Sequence, residues 1–413
     1  MQHLGSHGLP DMLKSDWDDS LAPMNKGGTA GAESVFVFFQ LADAAFELIQ
    51  LYQKMGREEK AAAMRAVYDY CASKLDVIWD GKWFIRAFTP EGEKFCTKED
   101  EYNKIHLIPQ AWSVISHLAD KEKANKAMDN VLRYLYTDKG LITHYPASEG
   151  FDPENKCYFL FPAGAKENGG IFFHSNTWPI IAFAMLGRGN DAFRCYENIL
   201  PIRRNDAADI HRAEPYVYCS TMSVAPHPEA GRCVNSWLTG TASWAYFAAT
   251  QHILGVRPEY DGLCIDTQIP DEWSGFSMER YCREKLYKIE VIKESGYEKG
   301  LYVNETIEMS GNNILLLINL KENDFETEEI MIKRLCSLCR KIQDKVGEYM
   351  DISLSCIFSN VGSFQQLPLL YQDIINVEQY RLYYGKGCIV STADIIEKRD
   401  RIMCIRSKKK ANW

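Results

Sequence analysis

Three acidic side chains surround one tryptophan near the start of the chain. Asp16 and Asp18 are the immediate neighbours of Trp17 in the sequence, and Asp19 follows Asp18. An indole packs well against the apolar face of a sugar ring, and carboxylates accept hydrogen bonds from its hydroxyls or protonate a glycosidic oxygen. This segment is therefore a candidate carbohydrate site. The alternative is an Asp-rich turn that caps a helix, with Trp17 in the hydrophobic core.

A second concentration of polar residues runs from Lys166 to Trp178. A Gly-Gly turn in this segment allows the backbone to approach a ligand closely. His174 lies where a helix is predicted to begin, a position whose N–H groups favour an anion, and Lys166 adds positive charge. Alternatively, Ser175 or Asn176 caps the helix and His174 is a loop histidine without a chemical role.

A third segment contains Thr239 followed by Gly240. The threonine hydroxyl and the unobstructed glycine N–H are good donors to a phosphate. The alternative is that both residues only assist packing inside a helix predicted over 234–253. Upstream, Glu214 is a candidate sugar-binding acid, although a structural role fits this residue equally well.

The sequence lacks several familiar cofactor and metal motifs. No Walker loop, nucleophile elbow, zinc-protease helix or dinucleotide fingerprint is present. The Cys and His residues show no four-ligand spacing, so no metal site is predicted. Cys336 and Cys339 form a Cys-x-x-Cys pair within a helical pattern, which indicates either a redox pair or two small apolar residues.

The composition is typical of a water-soluble globular protein of two or three domains, or of one large domain with an appendix. The chain has 413 residues, of which 46% are hydrophobic, 25% charged and 12% aromatic. Its net charge of -9 argues against nucleic-acid binding through bulk electrostatics. Thirteen irregularly spaced cysteines favour reduced thiols. With no signal segment and no long apolar run, we predict a cytoplasmic protein that does not contact membranes.

Hydrophobic periodicity predicts pairs of antiparallel helices in the first part of the chain. Two long irregular segments, 137–173 and 201–232, separate the pairs and carry the candidate residues. This order predicts a mainly α fold, a partial (α/α)6 barrel whose loops converge at one mouth. A closed barrel of six hairpins needs twelve helices, so the first several are expected to be missing. The seven predicted helices cover residues 34–52, 64–78, 105–118, 121–135, 175–186, 191–200 and 234–253.

After Pro270 the pattern changes to alternating strands and helices. Strands are predicted over 287–291, 302–307, 314–320, 352–358 and 388–391, and helices over 331–346 and 369–384. This order predicts a small C-terminal α+β module. The predicted domains are a barrel (1–272), a β-rich segment and junction (273–310), the α+β module (311–400) and a tail (401–413).

Together these segments resemble glycoside hydrolase family 94, the inverting β-glucoside phosphorylases that act on cellobiose, cellodextrins and chitobiose. The matching text includes HGLP…DWDD, WDGKWFIRAF, KENGGIFFHSNTW, EPYVY, NSWLTGTASW and GVRPEYDGLCIDTQIPDEW, and it spans roughly residues 3 to 293. The resemblance implies an (α/α)6 barrel enzyme of carbohydrate metabolism.

The resemblance also implies a role for each candidate residue. Asp19, the last residue of the Asp-Trp-x-Asp motif, matches the family's general acid, and Trp17 matches the indole of the acceptor-sugar subsite. The family's most common residue at position 18 is Asn, so Asp18 is a departure that leaves acceptor preference open. Positions near the sugar match Lys166 and Glu167, with Glu214 as a further candidate, and phosphate-binding positions match His174, Thr239 and Gly240.

The implied reaction is inverting phosphorolysis. A protonated Asp19 gives its proton to the glycosidic oxygen, and phosphate takes the place of an activated water, because it is already a competent nucleophile. A β-linked, cellobiose-like glucoside then yields α-glucose 1-phosphate and a shortened sugar. No metal or organic cofactor is required, and inorganic phosphate is a co-substrate. The alternatives are hydrolysis or glycosyl transfer on the same scaffold, or an inactive remnant that acts as a sugar- or partner-binding module.

Two departures from the family shape the remaining expectations. Family members carry an N-terminal β-sandwich, a helical linker and the first barrel helices, which are absent here. We therefore expect a fragment that needs this missing N-terminal half, or a second copy in a homodimer, as its partner. From about Gly311 the chain instead resembles, more weakly, the cyclase-like module of AraC-type response regulators. Neither cyclase activity nor DNA binding is implied, and the segment 295–311 is interpreted as a junction between two fused truncated genes.

Overall fold

The computed structural model divides the chain into two compact units, Met1–Glu294 and Ser295–Trp413. This division lies inside the segment 273–310, which the sequence pattern assigns to a β-rich junction. The predicted tail, 401–413, lies outside the described residues, as does Gly27 of the glycine-rich loop near the N-terminus. The structure describes residues 3–26, 28–260, 262–292, 301–309, 313–320, 328–350, 353–360, 362, 366–378 and 385–392.

Helices dominate the first unit up to Leu254, and most lie close to their predicted positions. A 3₁₀ turn, Asp19–Leu21, precedes them, and a π-helical turn, Ala248–Ile253, extends the last one. The helices are α1 (Val35–Lys54), α2 (Glu58–Lys74), α3 (Leu107–Ile115), α4 (Lys121–Tyr134), α5 (Phe173–Met185), α6 (Gly189–Ile199), α7 (Ala208–His211) and α8 (Thr241–Phe247).

The helices of this unit form an inner and an outer row. α1 packs against α2, α3 against α4 and α5 against α6, which gives the predicted hairpins. α1 also contacts α3, α3 contacts α5, and α5 contacts α8, so these four form a continuous inner row. Nearly every side chain of α3 and α5 is buried, whereas α4 and α6 bury one face only. A helix that is apolar on all sides must be covered on all sides, which explains the inner position of α3 and α5. The described helices of this unit do not close a barrel.

Helix α1 has the length and apolar composition of a membrane span, and it is the single helix that meets this test among the described residues. Its side chains Phe38 and Phe39 are fully buried in the main hydrophobic core, which α2 and α3 also line. Core helices of globular domains commonly have this composition, so packing explains the apolar sequence of α1 without a membrane.

Short strands lead into three of the four inner helices. β1, β4 and β8 are two residues long and end directly before α1, α3 and α5. The strands of the first unit are β1 (Glu33–Ser34), β2 (Ala87–Phe88), β3 (Lys94–Phe95), β4 (Ile105–His106), β5 (Tyr136–Thr137), β6 (Gly140–Leu141), β7 (His144–Tyr145), β8 (Ile171–Phe172), β9 (Cys219–Met222), β10 (Cys233–Ser236), β11 (Val256–Pro258), β12 (Leu263–Ile265), β13 (Gly275–Cys282) and β14 (Lys285–Ile292).

The helix predicted over 234–253 is wrong in its first part. Strand β10 occupies Cys233–Ser236 and pairs antiparallel with β9, and the helix begins only at Thr241. Asn235 and Trp237 have positive φ angles of 55° and 70°, which a right-handed helix cannot contain. Thr239 and Gly240 therefore precede the helix and do not pack inside it.

The second unit combines strands and helices in the predicted order. β15 and β16 form an antiparallel hairpin, and β17 and β18 pair in parallel, with a helix between them in the chain. Part of the helix predicted over 369–384 falls at residues 379–384, outside the described residues. The elements are β15 (Leu301–Met309), β16 (Asn313–Leu320), α9 (Glu328–Met350), β17 (Cys356–Phe358), α10 (Leu367–Glu378) and β18 (Ile389–Ser391).

Candidate active site

A small separate core anchors the loop that carries the three aspartates. Met12, Leu21 and Met24 bracket the loop in sequence and pack with Phe95 and Phe159 from the following segments. The backbone of the loop is further tied to β1, because Met12 N–H donates to the carbonyl of Ala32. The loop is therefore fixed on both sides of Asp16–Asp19, which holds these side chains in defined positions.

Asp16 forms a buried ion pair with Arg86. The guanidinium donates two hydrogen bonds to the carboxylate, at 2.7 and 2.6 Å, and both side chains are fully buried. The Ser34 hydroxyl at the N-cap of α1 donates a third, at 2.6 Å. Burial alone would raise the pKa of Asp16, but the charge and hydrogen bonds of Arg86 outweigh it and hold the pKa below its usual value. Asp16 is thus a structural carboxylate with no access to substrate.

Asp18 is also buried, at 1% exposure, but it lacks a matching cation in direct contact. Its Oδ1 accepts hydrogen bonds from the backbone and hydroxyl of Ser20, whereas Oδ2 has no hydrogen-bond partner among the residues that the structure describes. Burial raises the pKa of Asp18 to about 6, against the opposing influence of Arg86. In its protonated form at mildly acidic pH, this side chain is a neutral hydrogen-bonding group.

Two histidines lie beside Asp18. His106, the N-cap of α3, accepts a hydrogen bond at Nδ1 from the Ile108 N–H, so the neutral ring carries its proton on Nε2, 3.6 Å from Asp18 Oδ2. The ring centre of His144 lies 5.8 Å from that of His106, and His144 Nε2 lies 3.2 Å from Asn168 Oδ1. Burial lowers the pKa of His106 well below its usual value and that of His144 to about 3. Both rings are therefore neutral near pH 7.

Asp19 is the one exposed carboxylate of the three. It begins the 3₁₀ turn that Asp18 caps, and its Oδ1 accepts a hydrogen bond from the Ser15 hydroxyl at 3.3 Å. The capping interpretation thus holds in part, because Asp18 caps this turn, whereas the carbohydrate site stays a prediction. Among these three acids, Asp19 is the side chain that a substrate can reach.

Trp17 brings the first two candidate segments together. Its half-buried ring packs edge-on against Phe172 at 4.6 Å, Trp178 at 5.4 Å and His174 at 5.9 Å. His174 lies in the first turn of α5, as predicted, and its Nε2 is buried without a hydrogen-bond partner in the described part of the chain. Burial lowers the pKa of His174. A neutral imidazole next to an indole is therefore available to donate to, or accept from, a bound ligand.

Gly240 joins this cluster from the third segment. A Cβ atom at this position would lie 3.1 Å from His174 Cε1, so only glycine leaves the ring undisturbed. The Thr239 hydroxyl accepts a hydrogen bond from the Thr241 N–H and contacts the Thr241 hydroxyl at 2.6 Å. Thr239 and Gly240 are thus held at the start of α8, beside the imidazole of His174.

Glu167 lies in the field of the aspartates. It is 9% exposed, and its Oε2 has no partner in the described part of the chain. Burial raises its pKa to about 7, and the negative charges of Asp18 and Asp19 act in the same direction. The neighbouring Lys166 places its Nζ 4.4 Å from the centre of the Phe161 ring. Glu167 is therefore close enough to Asp18 and Asp19 for their charges to act on it, whereas the contact described for Lys166 is with Phe161.

Glu214 stands apart from the others. It accepts a hydrogen bond from the Trp237 indole N–H at 3.1 Å, and backbone and indole hydrogen bonds lower its pKa. Its link to the site runs through Trp237, which is 66% exposed and two residues before Thr239. The structure therefore does not bring Glu214 into contact with Trp17 or His174.

The site lies where the N-terminal ends of the inner helices meet. Ser34 at α1 contacts Asp16, His106 at α3 approaches Asp18, and His174 in α5 meets both Trp17 and Gly240 at α8. Helix N-termini present unpaired N–H groups and a partial positive charge, which favour an anion. Here they surround an exposed acid and an indole. The arrangement can hold a sugar, a proton donor and an anion together.

Sequence reasoning missed the buried residues behind the three aspartates. Arg86 lies in a segment that supports the family resemblance, yet its type and position gave no signal for an ion pair with Asp16. His106 and His144 are likewise single histidines in apolar or aromatic surroundings. The predicted helix over 105–118 places His106 at a helix start, and the structure makes this residue the N-cap of α3.

Comparison with known protein families identifies the superfamily of this chain. The model of the glycosyl hydrolase 94 superfamily, catalytic domain, matches residues 1–255. The chain belongs to this superfamily.

Several characterised relatives are similar over about three quarters of the chain. An N,N'-diacetylchitobiose phosphorylase of Vibrio furnissii is 37% identical over 305 residues, which are 73% of this chain and 37% of the relative. A solabiose phosphorylase of Paenibacillus borealis is 32% identical over 72% of this chain and 39% of its own length. A cellobionic acid phosphorylase of Neurospora crassa is 28% identical over 76% and 39%, respectively. The chain thus spans less than two fifths of each of these three relatives.

Among solved structures, a sialidase aligns with 67% of this chain and 25% of its own, at 13% identity and a TM-score of 0.48.

Proposed function

We propose that residues 1–294 supply part of the active site of an inverting phosphorylase of β-linked disaccharides, built on an (α/α)6 barrel. The observation that carries this proposal is the meeting of Trp17, His174 and Gly240 beside the exposed Asp19. These residues come from three segments far apart in the sequence. The inner row α1–α3–α5–α8, with hairpin partners outside it, supports the barrel assignment.

In this proposal Asp19 is the general acid. As the glycosidic C–O bond breaks, Asp19 transfers its proton to the leaving oxygen, and phosphate attacks the anomeric carbon from the opposite face. A new C–O bond to phosphate forms with inversion, which yields an α-sugar 1-phosphate and a free sugar. Trp17 packs against the acceptor sugar, and Glu167 exchanges hydrogen bonds with sugar hydroxyls near Asp19.

Phosphate is held by His174 together with Thr239 and Gly240. The helix N-termini around this cluster supply a partial positive charge that favours the anion. Donors that position a ready-made anion take the place of the second carboxylate that an inverting hydrolase needs to activate water. The function of these residues is therefore to orient phosphate rather than to generate a nucleophile.

The disaccharide itself is the finer part of the proposal. A cellobiose-like glucoside is the substrate that the sequence predicts, and two relatives from Vibrio are named for N,N'-diacetylchitobiose. In this proposal the site residues contact the ring face and the leaving oxygen, which both sugars have, and the phosphate co-substrate. We propose a β-linked disaccharide as the substrate class, with the glucoside as first choice and the acetylated amino sugar as the second.

The test uses a chimera as well as the 413-residue chain. In the chimera, residues 1–255 replace the matching segment of the Vibrio furnissii relative. Each protein is incubated with cellobiose, solabiose or N,N'-diacetylchitobiose, with and without phosphate. A sugar 1-phosphate that forms only with phosphate supports the proposal. Free monosaccharides formed equally well without phosphate would indicate hydrolysis and contradict it, and an inactive chimera beside an active parent enzyme would favour a binding module or remnant.

A further inference from the structure

A buried group of three potential metal ligands lies near the hairpin that leads to Thr239. His211 ends α7, Cys219 begins β9 and Cys233 begins β10. All three residues are at most 5% exposed, and one ligand atom from each lies within 4.8 Å of the other two. Because the three come from separate elements, this cluster exists only in the folded chain.

The spacing of the cluster fits a thiophilic metal ion. The Nδ1 atom of His211 is 3.3 Å from the Cys233 sulfur. Tetrahedral zinc with its usual bond lengths, about 2.1 Å to nitrogen and about 2.3 Å to sulfur, separates two such ligands by about 3.5 Å. The Cys219 sulfur lies within 4.8 Å of the other two ligand atoms and must approach them for the three to share one ion.

The chemistry of the cluster agrees with its spacing. His211 has one ring nitrogen against a thiol and the other, Nε2, without a hydrogen-bond partner among the described residues. Coordination through Nδ1 leaves the ring proton on Nε2, so the imidazole binds the metal in its neutral form. Two thiolates neutralise a divalent cation, so the ion and its ligands together carry no net charge and can be buried. Thiolate and imidazole together favour zinc over magnesium or calcium.

A small pocket lies against the cluster and gives room for a fourth ligand. His211 and Cys219 line it together with Arg204. Zinc sites with three protein ligands complete their tetrahedron with water or a small molecule. The pocket is therefore suited to a water molecule on the metal.

We propose that His211, Cys219 and Cys233 bind one zinc ion, which ties the β9–β10 hairpin to α7. On binding, the two thiols each release a proton to solvent and the imidazole coordinates in its neutral form. Trp237 and Thr239 follow the hairpin directly, so the ion stabilises the segment that leads to Thr239, a proposed phosphate-binding residue. This proposal is independent of the phosphorylase activity.

The test measures zinc and cobalt binding to the full chain, purified without chelators and kept reduced. We expect the wild type to hold one zinc ion per chain more than the Cys233→Ser and His211→Ala variants. Co²⁺ in place of zinc should give thiolate-to-metal charge-transfer absorption and the strong visible bands of a tetrahedral ion. Zinc should raise the melting temperature of the wild type but not of Cys233→Ser.

Two variants serve as matched controls. Cys71→Ser removes a buried thiol from α2, and Cys339→Ser removes a partly buried thiol from α9 in the second unit. Both should keep the full zinc content. Because Cys233→Ser could fail to fold, the cobalt spectrum of the wild type tests thiolate coordination without that variant. Equal zinc in the wild type and both site variants, a cobalt spectrum without thiolate bands, or a Cys219–Cys233 disulfide in protein isolated without reductant would overturn the proposal.

Discussion

At the scale of single residues, the three neighbouring aspartates have three different environments. Arg86 neutralises Asp16, the low-dielectric interior raises the pKa of Asp18 to about 6, and Asp19 is exposed. The sequence predicts a cluster of acids, but it cannot assign these environments, because Arg86 and His106 reach the loop only through the tertiary fold. The family resemblance, rather than local chemistry, singles out Asp19 in the sequence.

The Asp19→Asn substitution tests the proton donor. In the chimera, if that protein is active, we expect kcat to fall by several orders of magnitude with little change in melting temperature, since Asn cannot protonate the leaving oxygen. Asp69→Asn, on the exposed face of α2, is the control for the loss of one negative charge. A loss of less than about tenfold in kcat, equivalent to about 1.4 kcal/mol of barrier, would contradict the role of Asp19.

The substitutions His174→Ala and Thr239→Ala test the phosphate site. Each should chiefly raise the KM for phosphate in the chimera, because each removes a polar group that holds the anion while Asp19 stays in place. The KM for the disaccharide should change much less. Initial rates over a matrix of phosphate and disaccharide concentrations separate the two constants. A rise confined to the disaccharide KM would indicate that these residues bind the sugar and not phosphate.

The pH dependence of stability tests the buried Asp18. Its pKa is raised from 3.8 to about 6 in the folded chain, so the folded state binds the extra proton. The resulting stabilisation is full below the unfolded pKa and is lost as the pH rises through about 6. Asp18→Asn removes this titration, so its melting temperature relative to wild type should increase between about pH 5 and about pH 8. Thermal melts of the full chain at matched ionic strength measure it, and a difference that stays constant with pH would show that Asp18 does not titrate in this range.

At the scale of elements, the inner helices explain why the site forms at one end of the unit. β1, β4 and β8 each lead into an inner helix, so capping residues from distant segments meet at the same level. Apolar periodicity predicted these helices well, because each must bury a broad face. The periodicity failed at Cys233–Ser236, because the apolar residues of this short strand also fit a helical pattern. The positive φ angles of Asn235 and Trp237 exclude a right-handed helix there.

The Gly240→Ala substitution tests the contact between α8 and α5. The added methyl group would lie 3.1 Å from the His174 ring, so the ring must shift by a few tenths of an ångström. The φ angle of Gly240 is -80°, which alanine tolerates, so the effect is one of contact and not of backbone strain. We expect a severalfold higher phosphate KM in the chimera with little change in kcat.

Gly150→Ala is the matched control for this change, because nothing lies within 4 Å of a Cβ at that position. It should leave both constants unaltered. An unchanged phosphate KM in Gly240→Ala would mean that His174 does not depend on this contact for binding phosphate.

At the scale of the whole molecule, the sequence predicted two kinds of structure, and both are present. A helical unit with the candidate site ends at Glu294, and a unit of mixed strands and helices follows. Composition and periodicity suffice for that distinction, because helical and strand patterns differ in period. The meeting of Trp17, His174 and Gly240 could not be predicted in the same way, since it depends on how hairpins pack side by side.

The state of the isolated chain is the last prediction. Five large side chains in the first unit are each at least 65% exposed: Tyr216, Trp237, Leu238, Tyr246 and Tyr281. Exposed apolar surface of this kind drives association unless a partner covers it. We expect the 413-residue chain alone to self-associate and to show negligible phosphorolysis. Size-exclusion chromatography with light scattering, thermal melts and the phosphate-dependent assay measure this.

A further experiment adds, in trans, the part of the Vibrio furnissii relative that lies outside the matched region. We expect this part to reduce self-association and raise activity, because under our proposal it covers the corresponding surface in its own protein. An unrelated protein at the same concentration is the control. A monodisperse chain that melts cooperatively and catalyses phosphorolysis on its own would contradict the expectation, since its exposed aromatic side chains would then need no covering partner.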